Sequence, residues 1–308
     1  MIRKPTVTIG IPAYNEEANI THLIQALLNQ NTSNFRLVKI LVVSDHSTDF
    51  TEQFVHVISD HRVKLMINKK RLGLNGSQNK ILQNTSSDIL VLFDADVLPK
   101  DSKCISDLIT PLISDPLAGL ASGKLYALRV MSSPISRILA NAHEMKRRLF
   151  ENLPRTNNIY LCAGRMRAFS RKFYSKLHWP KDVPEDAYSY LMALKHKFRF
   201  VYRPHAIVYF HPPTMLDDHI KQNNRFITGK VSLGKYFTDD LLRNEYKLPL
   251  LSLITMISSF IIKRPFSIPA YFCIMFYIST FKNLRQDNQS RYEISYTSKY
   301  IKPEYEKA

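Results

Sequence analysis

The chain has 308 residues, 45% of them apolar, enough for a sizeable core and too many for a disordered tail. Its formal net charge of +17 points to an anionic partner: nucleic acid, a phospholipid surface or a phosphorylated small substrate. The three cysteines, Cys104, Cys162 and Cys273, form no CxxC pair and exclude a disulfide framework, which fits small buried thiols in a reducing compartment.

The first 17 residues turn polar and acidic too early to hold the apolar region of a signal peptide, which predicts a cytosolic location. Residues 6–12, TVTIGIP, are β-branched and apolar and predict a strand. Residues 15–30 then carry apolar side chains at helical spacing, with Glu16 and Glu17 in the expected first turn. Strands follow over residues 37–44, 63–68 and 88–94, each separated from the last by a helix-like stretch. This alternation predicts an α/β fold with a mostly parallel central sheet. In such sheets ligands bind beyond the carboxyl ends of the strands. PAYN (12–15), SDHSTD (44–49) and the acids of FDAD (93–96) all fall at such ends.

From about residue 119 the pattern loosens. Residues 133–152 read as a basic amphipathic helix and residues 183–197 as a helix starting at Pro184 or Glu185. Residues 198–210 read as two short strands broken at Arg203-Pro204. Residues 248–262 carry no charge; Lys263 and Arg264 follow, then a second apolar run over 265–281. Each run is shorter than the roughly 20 residues of a comfortable membrane span. A tight hairpin would also carry Lys263 and Arg264 across the bilayer. An interfacial or re-entrant anchor, peripheral or monotopic on the cytoplasmic face, is the favoured reading, with a two-span hairpin or a subunit contact as alternatives. The expected division is a domain over 1–240, a membrane-associating segment over 241–285 and a polar tail over 286–308.

Asp94 and Asp96 close an apolar strand with one alanine between them. Two such acids repel unless a positive charge lies between them. Mg²⁺ and Mn²⁺ take oxygen ligands, often one or two carboxylates plus substrate phosphates. In so basic a chain, the pair suits a divalent metal that carries a diphosphate.

The ordered motifs VTIGIPAYNEEANI, ILVVSDHSTDFT, RLGLNGSQNKIL, LVLFDADVLP, CAGRMRAFSR, PEDAYSYLMAL and QNNRF resemble glycosyltransferase family 2, inverting enzymes of GT-A fold. The resemblance covers residues 6–230 and includes the D, DxD, ED, QxxRW pattern of cellulose, chitin and hyaluronan synthases. It implies a GT-A nucleotide-sugar domain with a hydrophobic helical appendage at its C-terminal end. Pro12, Ala13 and Tyr14 would then face the nucleobase, and Asp45 would accept a hydrogen bond from it, uracil being the usual base. Ser44 replaces the first acid of the family's DDxS. Arg71, Gly73 and Asn79 would face ribose and phosphates. Asp94 would lie beside the ribose and sugar, and Asp96 would ligate Mn²⁺ or Mg²⁺. Asp186 would be the general base, supported by Glu185. Gln222, Arg225 and Phe226 match QxxRW, with phenylalanine in place of tryptophan, and would reach diphosphate and acceptor.

The implied reaction moves a sugar from a nucleoside-diphosphate donor, a UDP-sugar, to a cell-surface glycan or lipid-linked saccharide at a membrane surface. Phe226 and the short apolar tail favour addition of one or a few sugars over processive synthesis. His211 is a secondary metal-ligand candidate, and His205 is read as structural. Asp217-Asp218 and Asp239-Asp240 read as solvated acids at helix starts. The basic stretch 165–173, RMRAFSRKF, suits anionic lipid or an acceptor phosphate, and no nucleic-acid partner is expected. The alternatives are a nucleotidyltransferase or a non-catalytic binder of anionic glycan, lipid or nucleic acid with a decayed site.

Overall fold

Eight strands form a single sheet in the order β3-β2-β1-β4-β7-β6-β8-β5. They are β1 (Thr6–Ala13), β2 (Arg36–Ser44), β3 (Val63–Ile67), β4 (Ile89–Phe93), β5 (Val97–Pro99), β6 (Ala118–Ala127), β7 (Met166–Ser170) and β8 (Arg199–Phe210). The structure, a computed structural model, describes residues 3–282, with the backbone only at 224–228, 230, 281 and 282. Strand β1 pairs in parallel with β2 and β4, and β2 with β3, whereas β7 runs antiparallel to β4 and β6. Every residue of β1 and β4 is buried, which is why both read as continuous apolar runs rather than alternating ones.

Helices α1 (Ile20–Leu28), α2 (Thr51–His56), α3 (Gly73–Gln83) and α4 (Cys104–Ser114) fill the early connections. Further along come α5 (Pro134–Glu151), the single turn α6 (Arg171–Tyr174), α7 (Glu185–Lys195), α8 (Leu216–Leu233), α9 (Asp239–Glu245), α10 (Leu250–Lys263) and α11 (Ser267–Tyr277). The chain divides into two compact units: residues up to Leu125 with Asn157–Tyr209, and Tyr126–Thr156 with the residues from Phe210 onward. This grouping puts α5 and α8 with the C-terminal helices.

Three local expectations change. Helix α1 starts at Ile20, so Glu16 and Glu17 lie outside its first turn. Glu17 serves α2 instead, its Oε2 accepting from Phe50 N at 2.9 Å, while Glu16 O accepts from Ile20 N at 2.9 Å just before α1 and Glu16 N donates to Thr51 Oγ1 at 2.7 Å. The unmet N–H groups at the start of α2 draw the acid there. Second, residues 199–210 form one strand, not two. The neighbouring β5 is three residues long, so much of β8 has edge character and tolerates Pro204 without its N–H. Third, β6 and β7 escape the sequence pattern because AGLASGKLYA and MRAFS mix small and charged residues into buried strands.

In the first unit, the segment leading into α7 is held by Asn79 of α3. Its Nδ2 donates to Trp179 O at 2.8 Å, and its Oδ1 accepts from Trp179 N at 2.9 Å. Trp179 is 1% exposed, and its ring packs edge-on against Phe169 with centroids 5.8 Å apart.

In the second unit, α10 and α11 pack on α5. Leu139 and Ala142 meet Tyr271, while Met145 meets Phe260 and Ile268. Asn141 Nδ2 donates to Ser267 Oγ at 2.9 Å, and Lys146 Nζ to the Tyr271 hydroxyl at 3.2 Å. By length and composition, the stretch 239–263 is a candidate to cross a membrane, with an 18-residue window of mean hydropathy 1.4. That stretch is interrupted between α9 and α10, and α10 alone is 14 residues, about 21 Å, against a hydrocarbon core of about 30 Å. Exposed apolar side chains mark this helix and the turn after it: Leu251 is 78% exposed, Ile262 80% and Phe266, just before α11, 88%.

Replacing Asn79 by alanine strands two buried backbone groups of Trp179. The expected cost is about 1–3 kcal/mol, read as a lower urea midpoint at unchanged slope.

Candidate active site

The register of β4 and β7 sets the centre of the site. Phe93 is paired with Met166, and the ladder continues one step as Asp94 N donates to Arg165 O at 3.0 Å. The Arg165 side chain then turns to the second acid, with Nη1 2.7 Å from Asp96 Oδ2. A cation supplied by the chain therefore sits on the acidic pair. Burial, with the negative charge of Asp96 and Glu185, pushes the Asp94 carboxyl up to about 7, and Arg165 opposes the shift.

Glu185 and Asp186 occupy the first turn of α7, after Pro184 at its N-cap. A Cβ on Gly164 would collide with Glu185 Oε1, so only glycine lets that carboxylate lie against the backbone beside Arg165. Arg167, fully buried, anchors the same turn: Nη1 donates to Glu185 O at 2.8 Å and Ser189 Oγ at 2.9 Å, and Nη2 to Gln78 Oε1 at 3.3 Å. Its Nη2 lies 3.9 Å from Glu185 Oε1. Trp179 Nε1 donates to Glu185 O at 3.1 Å. Burial and the Glu185 charge push Asp186 up to about 6, with Arg167 opposing. A carboxylate so tuned ionises near neutral pH, as a general base requires. The Cys162 thiol, 3.5 Å from Asp186 O, is driven well above its usual range by burial and is inert as a nucleophile.

The residues expected to meet a nucleotide divide. Tyr14 and Arg71 come together, the guanidinium 3.8 Å from the ring centroid, so one ring face is covered by a cation. Pro12 and Ala13 are buried at the end of β1, and Ala13 O accepts from Asp45 N at 2.8 Å. Asp45 is buried and caps α3: Oδ1 accepts from Leu72 N and Asn68 Nδ2, both at 2.8 Å, and Oδ2 from Gly73 N at 2.9 Å. The anion held by the start of α3 is thus Asp45 itself, and Gly73 N–H is committed to it. Asn79 is likewise committed to Trp179 rather than turned to ribose or phosphate. At position 44, where the family acid is missing, Ser44 Oγ donates to Glu52 Oε1 at 2.6 Å, so α2 brings a carboxylate to that point.

The remaining candidates lie in the second unit. Gln222 is half-buried on α8, and the Arg225 and Phe226 side chains fall outside the described residues. His211 is 2% exposed just past β8. Asp218 is buried at the start of α8, contrary to the solvated acid expected, whereas Asp239 and Asp240 open α9 behind a Thr238 cap as expected. The sequence pattern does not reveal the roles of Arg165 and Arg167. The basic stretch 165–173 suits an anionic partner, yet Arg167 is fully buried and Arg165 faces Asp96. Two charges inside an otherwise small and apolar strand segment were the available signal.

Among the described residues, no three acidic, histidine or cysteine groups converge to hold a metal by themselves. Asp94 and Asp96 nonetheless fit a hard cation completed by phosphate oxygens, because they are two carboxylates at one strand tip, where burial and then the charge of Asp96 raise Asp94.

The chain matches the profile of Glycosyl transferase family 2 over residues 8–177, more than half its length, and belongs to that family. The probable glycosyltransferase YdaM of Bacillus subtilis is 29% identical over 140 residues, 44% of this chain and 33% of the relative. The Escherichia coli enzyme WfgD, a UDP-Glc:alpha-D-GlcNAc-diphosphoundecaprenol beta-1,3-glucosyltransferase, is 36% identical over 90 residues, 29% of this chain and 34% of the relative. The chain thus matches about a third of the length of these relatives. The mannosyltransferase PcManGT of Pyrobaculum calidifontis, solved with GDP-Man and Mn²⁺, superposes with a TM-score of 0.61 at 18% identity, covering 94% of this chain and 85% of that one. The fold is of GT-A type.

Gly164→Ala should force Glu185 into another rotamer for about 1 kcal/mol. The melting temperature should change little while turnover falls by up to about 100-fold.

Proposed function

We propose that this chain transfers a sugar, with inversion, from a UDP-sugar to a hydroxyl of a lipid-linked saccharide or cell-surface glycan. The observation that carries the reading is the shared backbone pivot Gly164-Arg165, which brings the acids after β4 and those opening α7 to one place. Asp186, ionised above about pH 6, takes the proton of the acceptor hydroxyl. The acceptor oxygen bonds to the anomeric carbon as the bond from that carbon to the diphosphate oxygen breaks, and the nucleoside diphosphate departs. Asp96 and Asp94 would hold Mn²⁺ or Mg²⁺, which supplies positive charge against the charge growing on the diphosphate. Tyr14, with Arg71 over one face, offers a stacking surface for the base. The donor and acceptor named for WfgD, and the GDP-Man and Mn²⁺ of the PcManGT structure, support this chemical class.

The apolar outer face of α10 and α11, flanked by Lys247, Lys263 and Arg264, supports a peripheral or monotopic placement on an anionic cytoplasmic membrane surface. A lipid-linked acceptor would be met there.

Nucleoside diphosphate release should be measured from UDP-, GDP- and dTDP-sugars with Mn²⁺, Mg²⁺ or chelator. One donor should be hydrolysed slowly in a metal-dependent manner that Asp96→Asn abolishes. Asp186→Asn should lower transfer to acceptor by about 10²–10⁴-fold. Because the base must be unprotonated, wild-type transfer should fall as pH drops below about 6 and level off above it. A flat profile between pH 5 and 7 would count against Asp186. For the membrane placement, Ile262→Asp with Phe266→Asp should reduce co-sedimentation with anionic vesicles at unchanged melting temperature, since both side chains are exposed.

A further inference from the structure

We infer that Arg165 is a cation gate on the acidic pair: it occupies Asp96 in the absence of donor and yields that oxygen only when a divalent ion and a nucleoside diphosphate bind together. The inference rests on the reading of Asp94 and Asp96 as metal ligands.

Its first support is the contact itself. Arg165 Nη1 lies 2.7 Å from Asp96 Oδ2, and the two side chains are 19% and 17% exposed. A charge-assisted bond so sheltered from water outweighs an exposed ion pair, so an incoming cation must displace it rather than drift past it. Its second support is the anchoring. Arg165 O accepts from Asp94 N at 3.0 Å at the end of the β4–β7 ladder, so the Arg165 backbone is tied directly to that of the acidic pair. The guanidinium is therefore always within a side chain's length of whatever the acids bind.

The energetics follow from where the displaced charge goes. A divalent ion alone would take the Asp96 oxygen and leave a sheltered guanidinium without its carboxylate, which is costly. Asp94 and Glu16 also bear on that guanidinium, but a second cation would compete for Asp94 as well. A diphosphate arriving with the ion changes the outcome. Its oxygens match the planar fork of arginine, so the guanidinium moves from carboxylate to phosphate without losing an anionic partner. Metal and nucleotide binding are then coupled, each strengthening the other by the same factor. Lysine retains the charge but lacks the fork, so it should substitute only in part.

The test is Mn²⁺ affinity, followed by the electron paramagnetic resonance signal of free Mn²⁺, with and without UDP or GDP. Wild type, Arg165→Gln, Arg165→Lys and Asp96→Asn are compared, and thermal melts report folding. Wild-type protein should bind Mn²⁺ weakly alone, and one nucleotide should tighten it by roughly 5- to 150-fold. Arg165→Gln should bind Mn²⁺ alone more tightly than wild type and lose most of the nucleotide enhancement. Arg165→Lys should lie between them, and Asp96→Asn should bind poorly throughout. Equal Mn²⁺ affinity of wild type with and without both nucleotides would overturn the gate, with no variant needed. So would an Arg165→Gln protein matching wild type in both conditions. Absence of Mn²⁺ binding by wild type even with nucleotide would overturn the metal reading, and the gate with it.

Discussion

Carboxylates gathered at one sheet edge repel, and what keeps Asp94, Asp96, Glu185 and Asp186 together is a pair of arginines two residues apart. Arg165, in the turn before β7, faces Asp96, and Arg167, within β7, faces the first turn of α7. Each offsets part of the like charge without removing it. Asp94 and Asp186 remain raised, to about 7 and about 6, and in the proposed reaction they would receive a cation and the proton of the acceptor hydroxyl. Fully compensated acids would be structural. Uncompensated ones would destabilise the sheet edge.

The opposite side of the same edge is organised by hydrogen bonds more than by charge pairs. The loops after β1 and β2 are tied together through Asn15 and Thr48, Glu17 and Phe50, and Ala13 and Asp45. Asp45 then fixes the start of α3, so that helix, strand and loop form one rigid wall. Asn15 and His46 both sit at positive φ, 52° and 64°, at these strand ends. Such backbone conformations in non-glycine residues cluster where chains approach ligands. Beside it, the Arg71 guanidinium stacks on the Tyr14 ring.

The apolar helices carry a different kind of constraint. Helix α5 covers one face of α10 and α11, and large apolar side chains such as Leu251, Ile262 and Phe276 are exposed elsewhere on them. A soluble unit rarely leaves side chains such as Phe266 and Ile262 so exposed side by side. In the membrane placement proposed above, a bilayer surface would cover them without requiring either helix to cross it.

Much of this was legible in one dimension. The parallel half of the sheet follows from alternating strand and helix patterns, because strands buried on both faces must be continuous apolar runs. The acidic clusters follow from their positions at strand tips and at the start of α7, and the motif order carried the family. The partners of those acids were not legible. Arg165 and Arg167 looked like surface basics because a pattern of residue types cannot show which charges a neighbouring strand will bury. Asp45 and Asn79 were read toward a ligand, yet the fold commits them to Leu72, Gly73 and Trp179, up to 100 residues away. The sequence by itself determined which residues could be acids, bases and strands, since those are properties of local pattern. Tertiary structure alone decided which polar groups satisfy each other and which are left for a ligand, because hydrogen-bond pairing in a buried site is settled by distance in space.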